Sequence, residues 1–204
     1  MKYLLTFVLL AWMSELCVAQ KDNDSIVNRI VLIGDAGSLT NGQHLVARSI
    51  KSNVPLDSRT TVVFLGDNIY KVGLPDDAYI GYQQARIVLD SQVSIVKGTP
   101  TRVYMIPGNH DWNQGGPGGY DAILREQLYV DLLDTKNVKF FPEGGCPGPV
   151  EVPIGDNIVL VIVDSQCGFI HMINPELNLT VLIKQRTKYS RSCLTYSLAI
   201  IRSW

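Results

Sequence analysis

The sequence predicts an α/β fold, and three observations carry that prediction. Short apolar runs rich in β-branched residues alternate with stretches whose apolar positions recur at helical spacing. Two of the runs are continuously apolar, the pattern of strands buried on both faces. Three runs end in Gly-Asp or Gly-Asn pairs, at Gly34-Asp35, Gly66-Asp67 and Gly108-Asn109. Open α/β sheets place their sites outside the carboxyl ends of the strands, so these three pairs mark one candidate rim.

Taken in order, 28–33 is the first strand, and Gly34 and Gly37 allow a tight turn around Asp35. The stretch 42–53 predicts an amphipathic helix with Leu45, Val46, Ser49 and Ile50 on its apolar face, ended by Pro55. A buried strand follows at 60–65. The longest helical stretch is 76–97, started by Pro75-Asp76 and stopped by Gly98, with Ala85, Val88, Leu89, Gln92, Val93 and Val96 on one face. A third strand at 102–106 runs into Pro107-Gly108-Asn109-His110-Asp111-Trp112. After the glycine loop at 115–119 comes a helix at 120–133, short strands at 138–141 and 149–153, and a further buried strand at 158–163 ending in Asp164-Ser165.

The chain has 204 residues, 46% hydrophobic, with a formal net charge of -1. That is enough for one domain with a real core, and no basic excess points to nucleic acid. Residues 1–20 have the form of a secretory signal peptide: Lys2, an apolar run from Leu4 to Met13, and small residues before a cleavage point near Ala19 or Gln20. The run falls short of the roughly 20 apolar residues that span a bilayer. Glu15 and Leu16 argue against lipoprotein processing at Cys17. The expected location is therefore secreted, periplasmic or extracellular, where disulfides persist. Cys146, Cys167 and Cys193 remain, an odd set with no zinc-site spacing. Cys146 is expected either to pair with a cysteine that an intact downstream frame supplies or to stand as a surface thiol.

Asp35, Asp67 and Asn109 are hard oxygen donors, and Tyr70 adds a phenol three residues after Asp67. Such donors suit a two-metal hydrolytic site, with ions about 3.5–4 Å apart. The three blocks, Gly34-Asp35-Ala36-Gly37, Gly66-Asp67-Asn68-Ile69-Tyr70 and Gly108-Asn109-His110-Asp111, resemble the first three motifs of the calcineurin-like metallophosphoesterases. The resemblance runs over about 28–165. Gly37 and Tyr70 make the chain similar to the purple acid phosphatase branch.

The resemblance implies a metallophosphatase-type fold, a four-layer β-sandwich flanked by helices. It also implies roles. Asp35 and Tyr70 would bind the first metal, Asp67 would bridge, and Asn109 would bind the second. His110 would face the substrate and protonate the leaving oxygen, oriented by Asp111. The cofactors implied are two metal ions, iron together with zinc, manganese or iron. The partner implied is a small phosphate ester, with no nucleic acid and no stable membrane span. Asp164 matches no motif of the family.

Two later motifs of the family, a lone His and a Gly-His-x-His pair, have no counterpart: the three histidines are His44, His110 and His171. His44 fits a solvent-facing or capping role. The stretch 21–166 is read as the N-terminal part of the domain and 167–204 as an atypical tail. Periodicity fails after Gln166, and restoring one base can turn Gln166 to Val181 into a polar stretch with paired tryptophans, so the tail is read as frameshifted. The expectation is a truncated sandwich with an unpaired sheet edge and poor solubility. Asn178-Leu179-Thr180 matches a glycosylation sequon. The functional readings are a secreted dinuclear phosphoesterase, a non-catalytic remnant that binds metal or phosphate weakly, and a phosphodiesterase or nucleotidase of the same superfamily.

Overall fold

A computed structural model describes residues 26–133, 135–146, 148–167 and 200–203. The predicted signal segment, His171, Cys193 and the sequon at Asn178 lie outside the described residues. The order is β1 (Arg29–Ile33), α1 (Leu45–Asn53), β2 (Thr60–Phe64), α2 (Tyr82–Val93), β3 (Arg102–Met105), α3 (Gly119–Leu132), β4 (Val138–Phe140), β5 (Val150–Ile154), β6 (Ile158–Ile162) and β7 (Ile200–Ser203). Strands β1 to β4 form one parallel sheet in sequence order, and β5, β6 and β7 form an antiparallel one.

Sequential parallel strands joined by right-handed crossovers carry their helices on one face. The alternation along β2 shows the result. Val62 and Phe64 join a core with Ala47, Ile50, Leu89, Ile123 and Val130 of the three helices. Val63 faces the other way and packs with Tyr104, Val152, Ile154, Leu160 and Ile162. Helices, parallel sheet and antiparallel sheet therefore stack as three layers among the described residues, and both faces of β2 are buried, as its unbroken apolar run predicts.

Several boundaries and faces differ from the sequence reading. In α1 the buried residues are Ala47 and Ile50, while Leu45 and Val46 stand 51% and 39% exposed. Ala47 and Ile50 join the core cluster that includes Val62 and Phe64 of β2. His44 caps α1, its Nδ1 accepting from the Ala47 N–H at 3.1 Å. Helix α2 begins at Tyr82 rather than near Asp76, because Asp76 folds its own turn: its carboxylate accepts from Ala78 N–H and its carbonyl from Tyr79 N–H. In the antiparallel sheet β6 lies between β5 and β7, which form its two edges among the described residues.

Cys146 and Cys167 are both buried and joined by a disulfide, with Cα atoms 5.5 Å apart and a sequence separation of 21. The partner of Cys146 is thus internal. Closing a loop of this length contributes about 3 kcal/mol in the chain-entropy view. Reduction with a phosphine is expected to lower the melting temperature by several degrees, and an unchanged transition would refute that contribution.

Candidate functional site

The register explains why three distant motifs meet. Ile33 pairs with Phe64, and Phe64 with Met105, so β1, β2 and β3 end level with one another. Asp35, Asp67 and Asn109 lie two, three and four residues beyond those ends. All three line one cleft of about 360 Å³, whose opposite wall is Leu160, Ile162, Ser165 and Gln166. The cleft is the gap between the two sheets at the carboxyl end of the parallel one.

The loops interlock closely. Asp35 and Asp67 both hold φ at 55°, in the left-handed region. That conformation costs an L-residue roughly 1–2 kcal/mol, least for Asp and Asn. Gly37 lets the first loop lie on the second, for a Cβ there would sit 2.6 Å from the Asp67 carbonyl oxygen and 2.6 Å from Tyr70 N. Gly108 does the same for the third loop, where a Cβ would run into Asp67 N and Oδ1. Gly37→Ala is expected to cost more than the 1–3 kcal/mol of ordinary overpacking, because backbone must move; a denaturant midpoint near that of the parent chain would contradict it.

Tyr70 donates its phenolic O–H to Asp35 Oδ1 at 2.9 Å. Burial, then Asp35 and Asp67, hold that phenol well above the ordinary tyrosine range. Asp67 Oδ1 accepts from the His110 backbone N–H at 3.0 Å. The His110 ring stands edge-on to Tyr70, centroids 4.6 Å apart. Its Nδ1 lies 2.7 Å from the Lys71 carbonyl oxygen, with the Gln114 amide nitrogen at 3.5 Å. A carbonyl only accepts, so Nδ1 carries the proton and Nε2 is left for other chemistry.

This corrects the role expected of Asp111. The group that holds the His110 ring is the Lys71 carbonyl. The Asp111 carboxylate is fully buried and accepts from the backbone N–H groups of Gly108, Asn68 and Ile69 at 2.7, 3.0 and 2.9 Å, and from Asn68 Nδ2 at 3.3 Å. It ties the second and third loops together beneath the rim. Beside it, burial and then Asp111 hold Glu126 well above the carboxylate range. Of the two, Glu126 keeps the proton, because Asp111 has four N–H donors and Glu126 has the Leu74 N–H at 3.1 Å. Arg125 Nε grips the Leu74 carbonyl at 2.8 Å, so neighbouring residues of α3 clamp the loop that carries Lys71.

Asp164, which the sequence leaves without a role, accepts from the Trp112 indole N–H at 2.7 Å and from the backbone of Gln166 and Cys167 at 2.8 and 3.2 Å. It thus anchors the motif that bears His110. Burial pushes it up to about 7, against the pull of the Trp112, Cys167 and Gln166 N–H groups. The folded chain therefore keeps a proton that the unfolded chain, with an ordinary value of 3.8, has lost. That stabilisation is whole below about pH 4 and gone above about pH 7, changing by about 1.4 kcal/mol per pH unit between. Melting temperature is expected to fall as pH rises through this window, and Asp164→Asn to flatten part of the fall. A parent melting temperature that is level from pH 4 to 7 would overturn the assignment.

A family model described as calcineurin-like phosphoesterase matches residues 28–165. The chain belongs to that family. Members suggest metal-dependent hydrolysis of phosphoesters, and two metal ions are general among them. No curated protein and no solved structure matches. In this calcineurin-like phosphoesterase the oxygen donors at the cleft fit part of such a site: two carboxylates and an amide, all hard ligands. Among the described residues, no group of three or more His, Cys, Asp or Glu gathers to hold a cation. No helix among them is long and apolar enough to cross a membrane.

Proposed function

We propose that this calcineurin-like phosphoesterase is an exported, acid phosphatase-like hydrolase of small phosphate esters, using a dinuclear metal site at the cleft between the sheets. One observation carries the reading: Asp35, Asp67 and Asn109, from three strands, line one cleft. Asp35 with Tyr70 would hold one ion, Asp67 would bridge, and Asn109 would hold the second. Tyr70 favours iron at the first position, with zinc, manganese or iron at the other. Residues 1–20 direct the export.

When bound, the ions supply Lewis acidity to the phosphoryl oxygens. The protein's own part is proton handling and placement. Water adds to phosphorus and gives up a proton to solvent, the bond to the leaving oxygen breaks, and that oxygen takes a proton from Nε2 of His110 in its doubly protonated form. The Lys71 carbonyl keeps Nδ1–H engaged, so Nε2 is the nitrogen available. Asp111 acts through the backbone, as a positioning residue that holds Asn68, Ile69 and Gly108 in place.

A second reading has its own support. Fewer than three His, Cys, Asp or Glu gather among the described residues, which favours weak uptake of one ion or of phosphate without turnover. One experiment separates the two. The purified chain is loaded with iron and zinc, its metal content counted, and its hydrolysis of para-nitrophenyl phosphate followed beside Asp67→Ala. Two ions and turnover that Asp67→Ala abolishes support the dinuclear hydrolase. One ion or none, without turnover, supports the second reading.

A further inference from the structure

Gln92 on α2 is fully buried. Its Nε2 donates to two backbone carbonyls, Ala36 at 3.1 Å and Asn68 at 2.9 Å. These acceptors are the residues immediately after Asp35 and Asp67. One side-chain amide therefore bridges the two loops that carry both acidic groups of the cleft. We infer that Gln92 is a positioning residue that sets the spacing between Asp35 and Asp67.

The cost of this arrangement argues for the role. Gln92 Oε1 is buried with no hydrogen-bond partner among the described residues. An apolar side chain at this point of α2 would avoid that desolvation, as its neighbours Leu89 and Val93 do. What the amide provides instead is a rigid fork: its two N–H bonds lie at a fixed angle, so the two carbonyls are held at a fixed separation. The two backbone bonds between the loops fall on either side of Ala36 and Asn68, and Gln92 alone joins those two residues among the described residues. Asp35 and Asp67 both sit in left-handed backbone that must be held from outside. Gly37 permits the close approach and its carbonyl accepts the Tyr70 N–H at 3.0 Å, while the Asp35 N–H reaches the Gly66 carbonyl at 3.3 Å.

The inference rests on the proposed metal site, and its test is built to fail separately. Gln92→Met keeps volume and burial and removes both donors. Leu89→Val, one turn earlier on the same helix and equally buried, weakens packing in the shared core but removes no hydrogen bond to either loop. Zinc affinity is measured by calorimetry, and backbone hydrogen exchange is followed in the metal-free chains at 34–38 and 66–71. Gln92→Met is expected to lose about 10- to 100-fold in zinc affinity, the range for groups that orient ligands. Exchange in both segments should rise together, and Leu89→Val should do neither.

Affinity unchanged in Gln92→Met, or exchange rising in one segment alone, overturns the role. If the parent chain takes up no zinc, the metal reading fails, and exchange alone decides Gln92: joint opening upholds the spacer and its absence removes it. Should Gln92→Met not fold, Gln92→Glu keeps the shape. Protonated, it has one O–H donor and holds only one of the carbonyls; joint opening of both segments is again the supporting result, and none the refuting one.

Discussion

Replacing Asp67 by alanine is expected to abolish metal uptake and hydrolysis together. Asp67 lies at the centre of the site by geometry: its Oδ1 accepts the His110 N–H, its backbone touches Gly37 and Gly108, and its carboxylate lines the cleft. A group that merely orients a ligand is worth roughly 10- to 100-fold in affinity, so loss of the carboxylate proposed to bridge the ions should exceed that. Asp67→Asn sharpens the test. The amide oxygen still accepts from His110, so the fold should survive, while the charge is gone. Normal melting with no metal in Asp67→Asn would place the effect in the charge. Full metal content in both variants would refute the site.

The second large effect is expected at His110. His110→Gln should lower kcat by about 10²- to 10⁴-fold, the usual worth of a positioned general acid, with metal content and KM little changed. The backbone bond from residue 110 to Asp67 does not depend on the side chain and would persist. A rise in KM with kcat unchanged would mean that the ring binds substrate and gives it no proton. Breaking the Arg125 grip on Leu74 should produce a smaller fall in kcat of the same kind, because Leu74 steadies the loop whose Lys71 carbonyl holds the ring.

Much of the fold was legible because parallel strands buried on both faces read as unbroken apolar runs, and 60–65 and 102–106 are such runs. The rim was legible because glycines end them. Side-chain direction was harder to read. Asp111 follows His110 directly, which suggested a partner for the imidazole, yet its carboxylate turns inward to backbone groups 42 and 43 residues away in sequence. The apolar face of α1 was read only in part: Ile50 is buried as expected, but its buried neighbour is Ala47, whereas Leu45 and Val46 stand exposed. Three cysteines could not announce a pair, since pairing depends on where β6 returns beside the loop after β4. Asp164 gave no local signal either: its partner Trp112 is 52 residues away.

The parallel sheet adds its strands in chain order, and that has a consequence in time. During synthesis β1, α1 and β2 can dock as each emerges, since each needs only what came before. The two acidic loops would then be present but unlocked, with Asn68 and Ile69 offering N–H groups to water. Gln92 joins them to each other when α2 docks, Asp111 closes them onto the third loop when it arrives with β3, and His110 gains its second anchor only when Asp164 takes hold of Trp112. The rim of the cleft is thus the late product of a frame that assembles early, so a chain stalled before residue 111 would hold a sheet and an unfinished cleft.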